Sequence, residues 1–248
     1  MSEVLVMARR SVRLSLRAGD ALITALALPI MMMLLFVYFF GGAIETGGPY
    51  VQHVVPGVLV LCAAYGAGTT AMSVANDMAE AVMDRLRSLD VSATALLGGH
   101  VAASVARNLA ATVLVFAVAF AIGFRPVAAP GDWLLAAALI TAFVTAMSWV
   151  AAAIGLLAKT PEAASGYAFV FAFLPYPSSA FVPVETMPGW LQAFAAGQPL
   201  TQVIDSMRAL LLDGSATVLG AAFVWCAALG LAGVAAAAAL YRLRVKRA

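Results

Sequence analysis

The stretch NDMAEAVMDRLRSLDVSATALLGGH, residues 76–100, is the longest polar interruption in a chain that is otherwise mostly apolar. Residues 80–89 within it predict a short amphipathic helix. Its apolar side is formed by Met83 and Leu86 and, less squarely, by Val82 and Leu89. Its other side carries Glu80, Asp84, Arg85 and Arg87. Such charges are too costly at a bilayer centre, so we expect the segment to lie at the membrane surface. Its charged side either contacts a soluble partner, which we favour, or is a solvated loop face.

The composition of the chain indicates a membrane protein. Of its 248 residues, 64% are hydrophobic and 10% are charged, whereas soluble domains carry about 25% charged residues. A soluble core cannot absorb this excess, so lipid is the expected solvent for most of the chain. Cys62 and Cys226 both lie in apolar runs and show no metal-like spacing, which predicts buried core thiols.

The N-terminal region is basic and periodic. Residues 3–19 contain Arg9, Arg10, Arg13 and Arg17. Since Arg9, Arg13 and Arg17 recur every four residues, they share one side of a helix, next to an apolar stripe. Either this flank only sets the topology, or it is an interfacial helix on the cytoplasmic leaflet; we favour the helix because the stripe persists for several turns. The apolar run that follows is too long for a cleaved signal peptide and predicts a retained span.

Six apolar segments are candidates for membrane spans, since about 20 apolar residues cross a hydrocarbon core of about 30 Å. They cover residues 21–40, 54–75, 101–122, 133–157, 164–182 and 217–240. Pro29 predicts a kink in the first segment. Arg107 is expected near the start of the third segment, close enough to the surface for its side chain to reach the headgroups.

The fifth segment contains three prolines in its second half, Pro175, Pro177 and Pro183. We expect its regular helix to end near Leu174, with the irregular backbone beyond it sheltered by protein or close to the outer surface. Residues 190–194 and 201–212 then predict two short helices at the outer interface, anchored by Trp190.

The distribution of Lys and Arg predicts the topology. With six spans and the N-terminus inside, twelve of these residues are cytoplasmic and two, Arg125 and Arg208, are outside. Both termini and the 76–100 segment are then cytoplasmic in a multi-pass plasma-membrane protein. Arg125 and Arg208 are expected either to pair with outer acids such as Asp132 and Asp205 or to face water.

Sites for chemistry are not evident. Ala158-Lys159-Thr160 lacks the glycines of a phosphate-binding loop, and no hydrolase or zinc-protease motif occurs. His53 and His100 are expected to be interfacial or loop residues on opposite sides rather than metal ligands. We predict no catalytic residue, no metal and no cofactor bound by this chain. Carboxylates fall at span ends or in loops, so energy for uphill transport is expected from a partner.

Aromatic and methionine side chains suggest where an apolar substrate could pass. The candidate path residues are Met32, Phe36, Phe169, Phe173 and Tyr176, within a wider set that includes Met31, Met33, Tyr38, Tyr167 and Phe171. For any one of these residues, lipid contact or helix packing is the alternative interpretation.

Three stretches of the chain resemble the permease subunit of ABC-2 type exporters of the daunorubicin-resistance-like family. They are the 83–99 region with MDRLRSL and Gly98-Gly99, the 123–126 sequence GFRP, and residues 181–210 with FVPVETMPGWLQ and QPLTQVIDSMRAL. The resemblance covers nearly the whole chain as a single transmembrane domain, residues 1–248. It implies a homodimer or a pair with a homologous chain, docked on two ATPase subunits that hold ATP and Mg²⁺. It also implies that Glu80, Asp84, Arg85, Leu86 and Arg87 belong to the coupling helix inserted in the ATPase.

The leading hypothesis is therefore an all-α permease with six spans, an N-terminal interfacial helix, a cytoplasmic coupling helix and short outer helices. It would export an amphipathic drug, antibiotic or lipid from a bacterium by alternating access, and it would have no nucleic-acid partner. A stand-alone secondary carrier needs an intramembrane ionisable group, and a membrane-embedded lipid enzyme needs a His, Asp or Ser cluster at one depth.

Overall fold

Long apolar runs fold into helices here because a helix pairs its backbone donors and acceptors within one segment, as lipid surroundings require. The computed structural model describes residues 19–79, 93–158, 160–213 and 219–247. Within these ranges the regular structure is helical and no strand occurs, which confirms the predicted all-α class. The predicted interfacial helix and coupling helix lie outside the described residues, apart from Gly19.

The described helices, numbered along the chain, are α1 (Gly19–Leu35), α2 (Tyr50–Ala79), α3 (Ala93–Ala121), α4 (Pro130–Leu157), α5 (Pro161–Phe173), α6 (Gly189–Gly197), α7 (Pro199–Arg208) and α8 (Leu219–Arg247). Turns of π-helix continue α1 over Phe36–Phe40 and α7 over Ala209–Asp213, and a 3-10 turn covers Val184–Thr186.

Proline and short polar side chains fix two of the helix starts. Pro130 begins α4, and the Asp132 carboxylate accepts a 3.0 Å hydrogen bond from the Ala129 N–H. Pro161 begins α5, where the Thr160 hydroxyl accepts a 3.2 Å bond from the Ala163 N–H. Proline is suited to the first helical position because its missing donor would have no partner within the helix there.

Four of the described helical stretches are long and apolar enough to cross a membrane: Tyr50–Met78, Leu96–Ala121, Pro130–Leu157 and Leu219–Leu243. A shorter apolar helix covers Ala27–Phe40. With 13 residues, α5 is only about 20 Å long. The chain therefore has several membrane-compatible helices, and the exact layout of six spans stays a prediction.

The bundle is built around α2. This helix contacts α1, α3, α4, α5 and α7. In the apolar stretch of α2, 78% is buried inside the bundle, whereas in that of α8 only 17% is buried. Helix α8 therefore lies at the periphery. Residue pairs show that α3 runs antiparallel to α2, and that α8 runs parallel to α4, with Gly230 against Ala146 and Gly233 against Val150.

The structure corrects the predicted ends of α2 and α3. Residues 76–79 and 93–100 are helical rather than parts of a surface loop. As a result, Arg107 lies near the middle of α3, not near its start, and His100 lies inside a helix. One reason is that Asp77 Oδ2 and His100 Nε2 pair between the two helices at 3.1 Å, which gives these polar side chains a partner within the bundle.

Candidate functional site

An irregular segment, residues 174–183, follows α5 at the end of the bundle where α2 begins. Helix α5 ends at Phe173, as the prolines that follow it predict. The segment is sheltered: Ser178 and Ala180 are fully buried and Phe181 is 3% exposed. This confirms the expectation of a protected backbone.

Side chains satisfy the backbone of the 174–183 segment. The Tyr50 hydroxyl donates a 2.8 Å bond to the Phe181 carbonyl. The Ser178 hydroxyl donates to the Pro175 carbonyl, and the Gln198 amide donates to the Pro177 carbonyl. Such bonds replace the helical bonds that proline removes, so the segment adopts a defined shape without being a helix.

Gly57 lets the segment approach α2 closely. A Cβ atom at this position would stand 2.4 Å from the Ala180 carbonyl oxygen and 2.6 Å from its Cα. No larger residue fits this contact without moving one backbone or the other, so the glycine sets the spacing between α2 and the segment.

Arg208, at the end of α7, joins three parts of the chain. One terminal nitrogen donates a 2.7 Å bond to Asp205 Oδ1, and the other donates to the carbonyls of Ser179 at 2.9 Å and His53 at 3.1 Å. The Ser179 hydroxyl also donates to Asp205 Oδ1, at 2.7 Å. Burial lowers the pKa of the Arg208 guanidinium, and the Asp205 carboxylate opposes this shift. Of the two alternatives predicted for Arg208, pairing with an acid or facing water, the structure shows the pairing, with Asp205.

Five aromatic rings form a continuous series, which we call the aromatic ladder. Ring centroids lie 4.7 Å apart for Phe169 and Phe173, 5.5 Å for Phe173 and Tyr176, 5.2 Å for Tyr176 and Phe181, and 4.3 Å for Phe181 and Phe36. The ladder runs from α5 through the 174–183 segment to the π-helical turns after α1. Phe169 is 65% exposed and Phe173 is 52% exposed, whereas Phe181 is buried.

The structure thus brings together four of the five predicted path residues. The fifth, Met32, has no aromatic ring and so is not part of the ladder. It packs against the hydrophobic core that contains Phe181. Sequence reasoning missed Phe181, the ring that connects α5 to α1. Its position in a proline-rich stretch was a signal that could have drawn attention to it. The contact with Phe36 could not be predicted, because the two residues are 145 positions apart in the chain. Of the wider set, Met33 and Phe171 are buried core residues, while Met31 and Tyr38 are exposed.

A buried polar cluster, also missed, joins α2, α3 and α4. Ser104 Oγ accepts bonds from the hydroxyls of Thr70 at 2.7 Å and Ser148 at 2.8 Å. The Arg107 guanidinium donates to the hydroxyls of Thr69 at 2.9 Å and Thr70 at 3.1 Å. Arg107, expected near the surface end of the third candidate span, is therefore an ionisable side chain well inside that helix. Its partners include the two threonine hydroxyls and the Gly66 carbonyl, so it joins α3 to α2.

Sequence comparison decides the family. The profile of the family described as "ABC-2 type transporter" matches residues 2–212.

The chain belongs to the ABC-2 type transporter family.

Among similar proteins, the "Daunorubicin resistance ABC transporter permease protein DrrB1" of Streptomyces coeruleorubidus is 32% identical over 232 residues, covering 92% of this chain and 81% of that protein. The "Probable doxorubicin resistance ABC transporter permease protein DrrC" of Mycobacterium tuberculosis (strain ATCC 25618 / H37Rv) is 24% identical over 197 residues, covering 77% of this chain and 70% of that protein. The predicted resemblance is therefore confirmed.

Family membership indicates the general role and the membrane location of this ABC-2 transporter. Its family is that of permease subunits, which are transport components of the membrane, and its apolar helices indicate a multi-pass plasma-membrane protein. Permeases of this kind work in general with an ABC ATPase and as dimers.

The predicted coupling residues of this ABC-2 transporter, Glu80 to Arg87, lie outside the described residues, as do Arg9 to Arg17. The structure describes the helix ends that flank residues 80–92, where Asp77 of α2 and His100 of α3 face each other. Among the described residues no group of His, Cys, Asp and Glu is arranged to hold a metal ion.

Proposed function

We propose that this chain is the transmembrane permease subunit of an ABC exporter that moves an amphipathic drug, antibiotic or lipid out of the cell. A separate ATPase subunit would drive it between inward- and outward-open states. The observation that carries the proposal is the aromatic ladder, in a chain whose relatives include a daunorubicin resistance permease.

The ladder suits an amphipathic cargo with flat or apolar parts. Its exposed members, Phe169 and Phe173, offer ring faces for stacking, and pairs of stacked rings contribute about 0.5–1.5 kcal/mol beyond burial. Two of its members, Tyr176 and Phe181, belong to the 174–183 segment, which is held by side-chain hydrogen bonds rather than by a helix. We propose that an exchange of these bonds lets the segment move between the inward- and outward-open states.

The remaining assignments follow from charge and family. We propose that Glu80, Asp84, Arg85, Leu86 and Arg87 form the coupling helix that contacts the ATPase. Arg9, Arg10, Arg13 and Arg17 would rest on the anionic cytoplasmic leaflet, with both termini on that side. The whole chain would act as one transmembrane domain, paired with a second permease chain. ATP and Mg²⁺ would bind to the ATPase subunit and not to this chain.

The test is cargo accumulation in cells that express this chain with its ATPase. Phe173→Ala should raise accumulation of an anthracycline about fivefold relative to the unmodified chain. The reason is that it removes the proposed contact between this ring and the cargo, worth about 1 kcal/mol. Phe194→Ala is the matched control, since Phe194 is 58% exposed on α6 and takes part in none of the described ring pairs. Export that persists without the ATPase would instead favour a stand-alone carrier.

A further inference from the structure

A second apolar site lies away from the aromatic ladder. A cavity of about 200 Å³ opens between α3, α4 and α7. Its walls include Leu109, Phe116, Trp133, Ile140 and Met207. None of these residues belongs to α1, α5 or the 174–183 segment, which carry the ladder.

The walls are shaped by fixed aromatic contacts. Phe116 and Trp133 meet edge to face with centroids 5.4 Å apart, and Phe116 also contacts Phe120 and Phe124. Met207 is 1% exposed and Ile140 is 3% exposed. The inner wall of the cavity is therefore enclosed by neighbouring residues.

The chemistry of the walls selects an apolar ligand. Thr112 supplies the single hydroxyl among the described lining residues. A buried water needs two to four polar partners, so water is poorly held in such a space. For comparison, an apolar cavity of about 150 Å³ stays dry and binds benzene. A site of this size accepts several methylene groups.

The entrance of the cavity indicates the source of that ligand. Val113, at the rim, is 67% exposed, and it lies on α3 in the candidate span Leu96–Ala121. Solvent around the middle of such a span is hydrocarbon. We propose that the cavity binds one acyl chain of a membrane phospholipid, held against α7 at Met207. This site is separate from the proposed cargo path and stands or falls independently of it.

The experiment uses the full chain with its ATPase in phosphatidylcholine vesicles that contain a phosphatidylcholine with a photoreactive diazirine in the middle of one acyl chain. After illumination, labelled peptides are mapped by mass spectrometry. Label is expected on the Leu109–Phe116 and Met207 peptides. Val113→Trp should block the entrance and reduce this label about tenfold, which corresponds to losing the burial of roughly two methylene groups. Leu114→Trp is the control: Leu114 is also lipid-accessible, at 44% exposed, and does not line the cavity.

Two results would overturn the proposal. Equal labelling of the Val113→Trp and Leu114→Trp proteins would show that label reaches these helices from bulk lipid only. Displacement of the label by an anthracycline would assign the cavity to the cargo rather than to a lipid. Because the readout is labelling and not transport, loss of export by either variant leaves the outcome readable.

Discussion

At the scale of single residues, the polar side chains decide which parts of the chain meet. Arg208 contacts acceptors from α2, the 174–183 segment and α7 at 2.7–3.1 Å. Arg125 contrasts with it, because its guanidinium is exposed and bonds to the nearby carbonyls of Phe120 and Phe124. The suggested pairing of Arg125 with Asp132 is not what the structure has, since Asp132 caps α4 instead.

The two arginines give a matched prediction. Arg208→Gln should lower the free energy of unfolding by about 2 kcal/mol, because it leaves two partly buried carbonyls and one carboxylate short of donors. That corresponds to a fall of roughly 4–8 °C in the thermal midpoint, measured by circular dichroism in detergent. Arg125→Gln should change stability by less than about 0.5 kcal/mol. Equal losses for both variants would show that the three-way contact of Arg208 does not stabilise the fold.

At the scale of elements, helix pairs place the segment that we propose for coupling. The α2–α3 pair is joined by Thr70 with Ser104 and by Asp77 with His100, the second pair lying next to residues 80–92. These contacts fix the two helix ends from which the proposed coupling helix emerges. A displacement of the proposed coupling helix would act directly on α2, the most buried of the four described candidate spans.

The coupling helix is tested by reversing its charges while keeping the net charge constant. The double variant Asp84→Arg, Arg85→Asp should reduce substrate-stimulated ATP hydrolysis by the purified complex about thirtyfold, since a central interface contact contributes about 2 kcal/mol. Membrane insertion should stay intact, as shown by an unchanged yield of the permease in the membrane fraction.

A charge reversal elsewhere provides the control for coupling. Glu162 is an exposed acid at the start of α5, and its pKa is lowered by a backbone hydrogen bond and by the Thr160 side chain. Glu162→Arg should leave ATPase stimulation unchanged. Normal stimulation and transport in the Asp84/Arg85 double variant would exclude the proposed role of that helix.

At the scale of the whole molecule, the directions of the helices fit a chain that crosses the membrane repeatedly. α2 and α4 end, and α3 and α5 begin, at the end of the bundle from which residues 80–92 emerge. The 174–183 segment and the start of α2 lie together at the opposite end. These relations hold whichever end faces the cytoplasm, so sidedness needs its own measurement.

Cysteine labelling measures the sidedness. Cys62 and Cys226 are buried and unbonded, as predicted, and are replaced by alanine to give a background for single cysteines. With a membrane-impermeant maleimide, Ser88→Cys should react in inverted vesicles and not in intact cells. Glu45→Cys, exposed between α1 and α2, should react in intact cells. Labelling of Ser88→Cys from outside would reverse the proposed orientation and remove the coupling helix from contact with a cytoplasmic ATPase.

The candidate site was only partly predictable from sequence. The types of residue that form the ladder were identified, because aromatic side chains in an apolar stretch are visible directly. The connection through Phe181 was not, since stacking on Phe36 depends on how the 174–183 segment returns to α1. The extra turns of α2 and α3 were missed for a related reason: Asp77 and His100 look like loop residues until each is seen to be the other's partner.

The sequence by itself determined the helical class, the places where most long helices lie, the end of α5 at its prolines and the family. Hydropathy and proline act through neighbouring residues, so these properties need no knowledge of distant contacts. Only the tertiary structure decided which distant parts of the chain meet: Arg208 with His53, Gly57 with Ala180, and Phe36 with Phe181. Contacts between residues more than a hundred positions apart depend on the packing of several helices at once, and no local pattern encodes that packing.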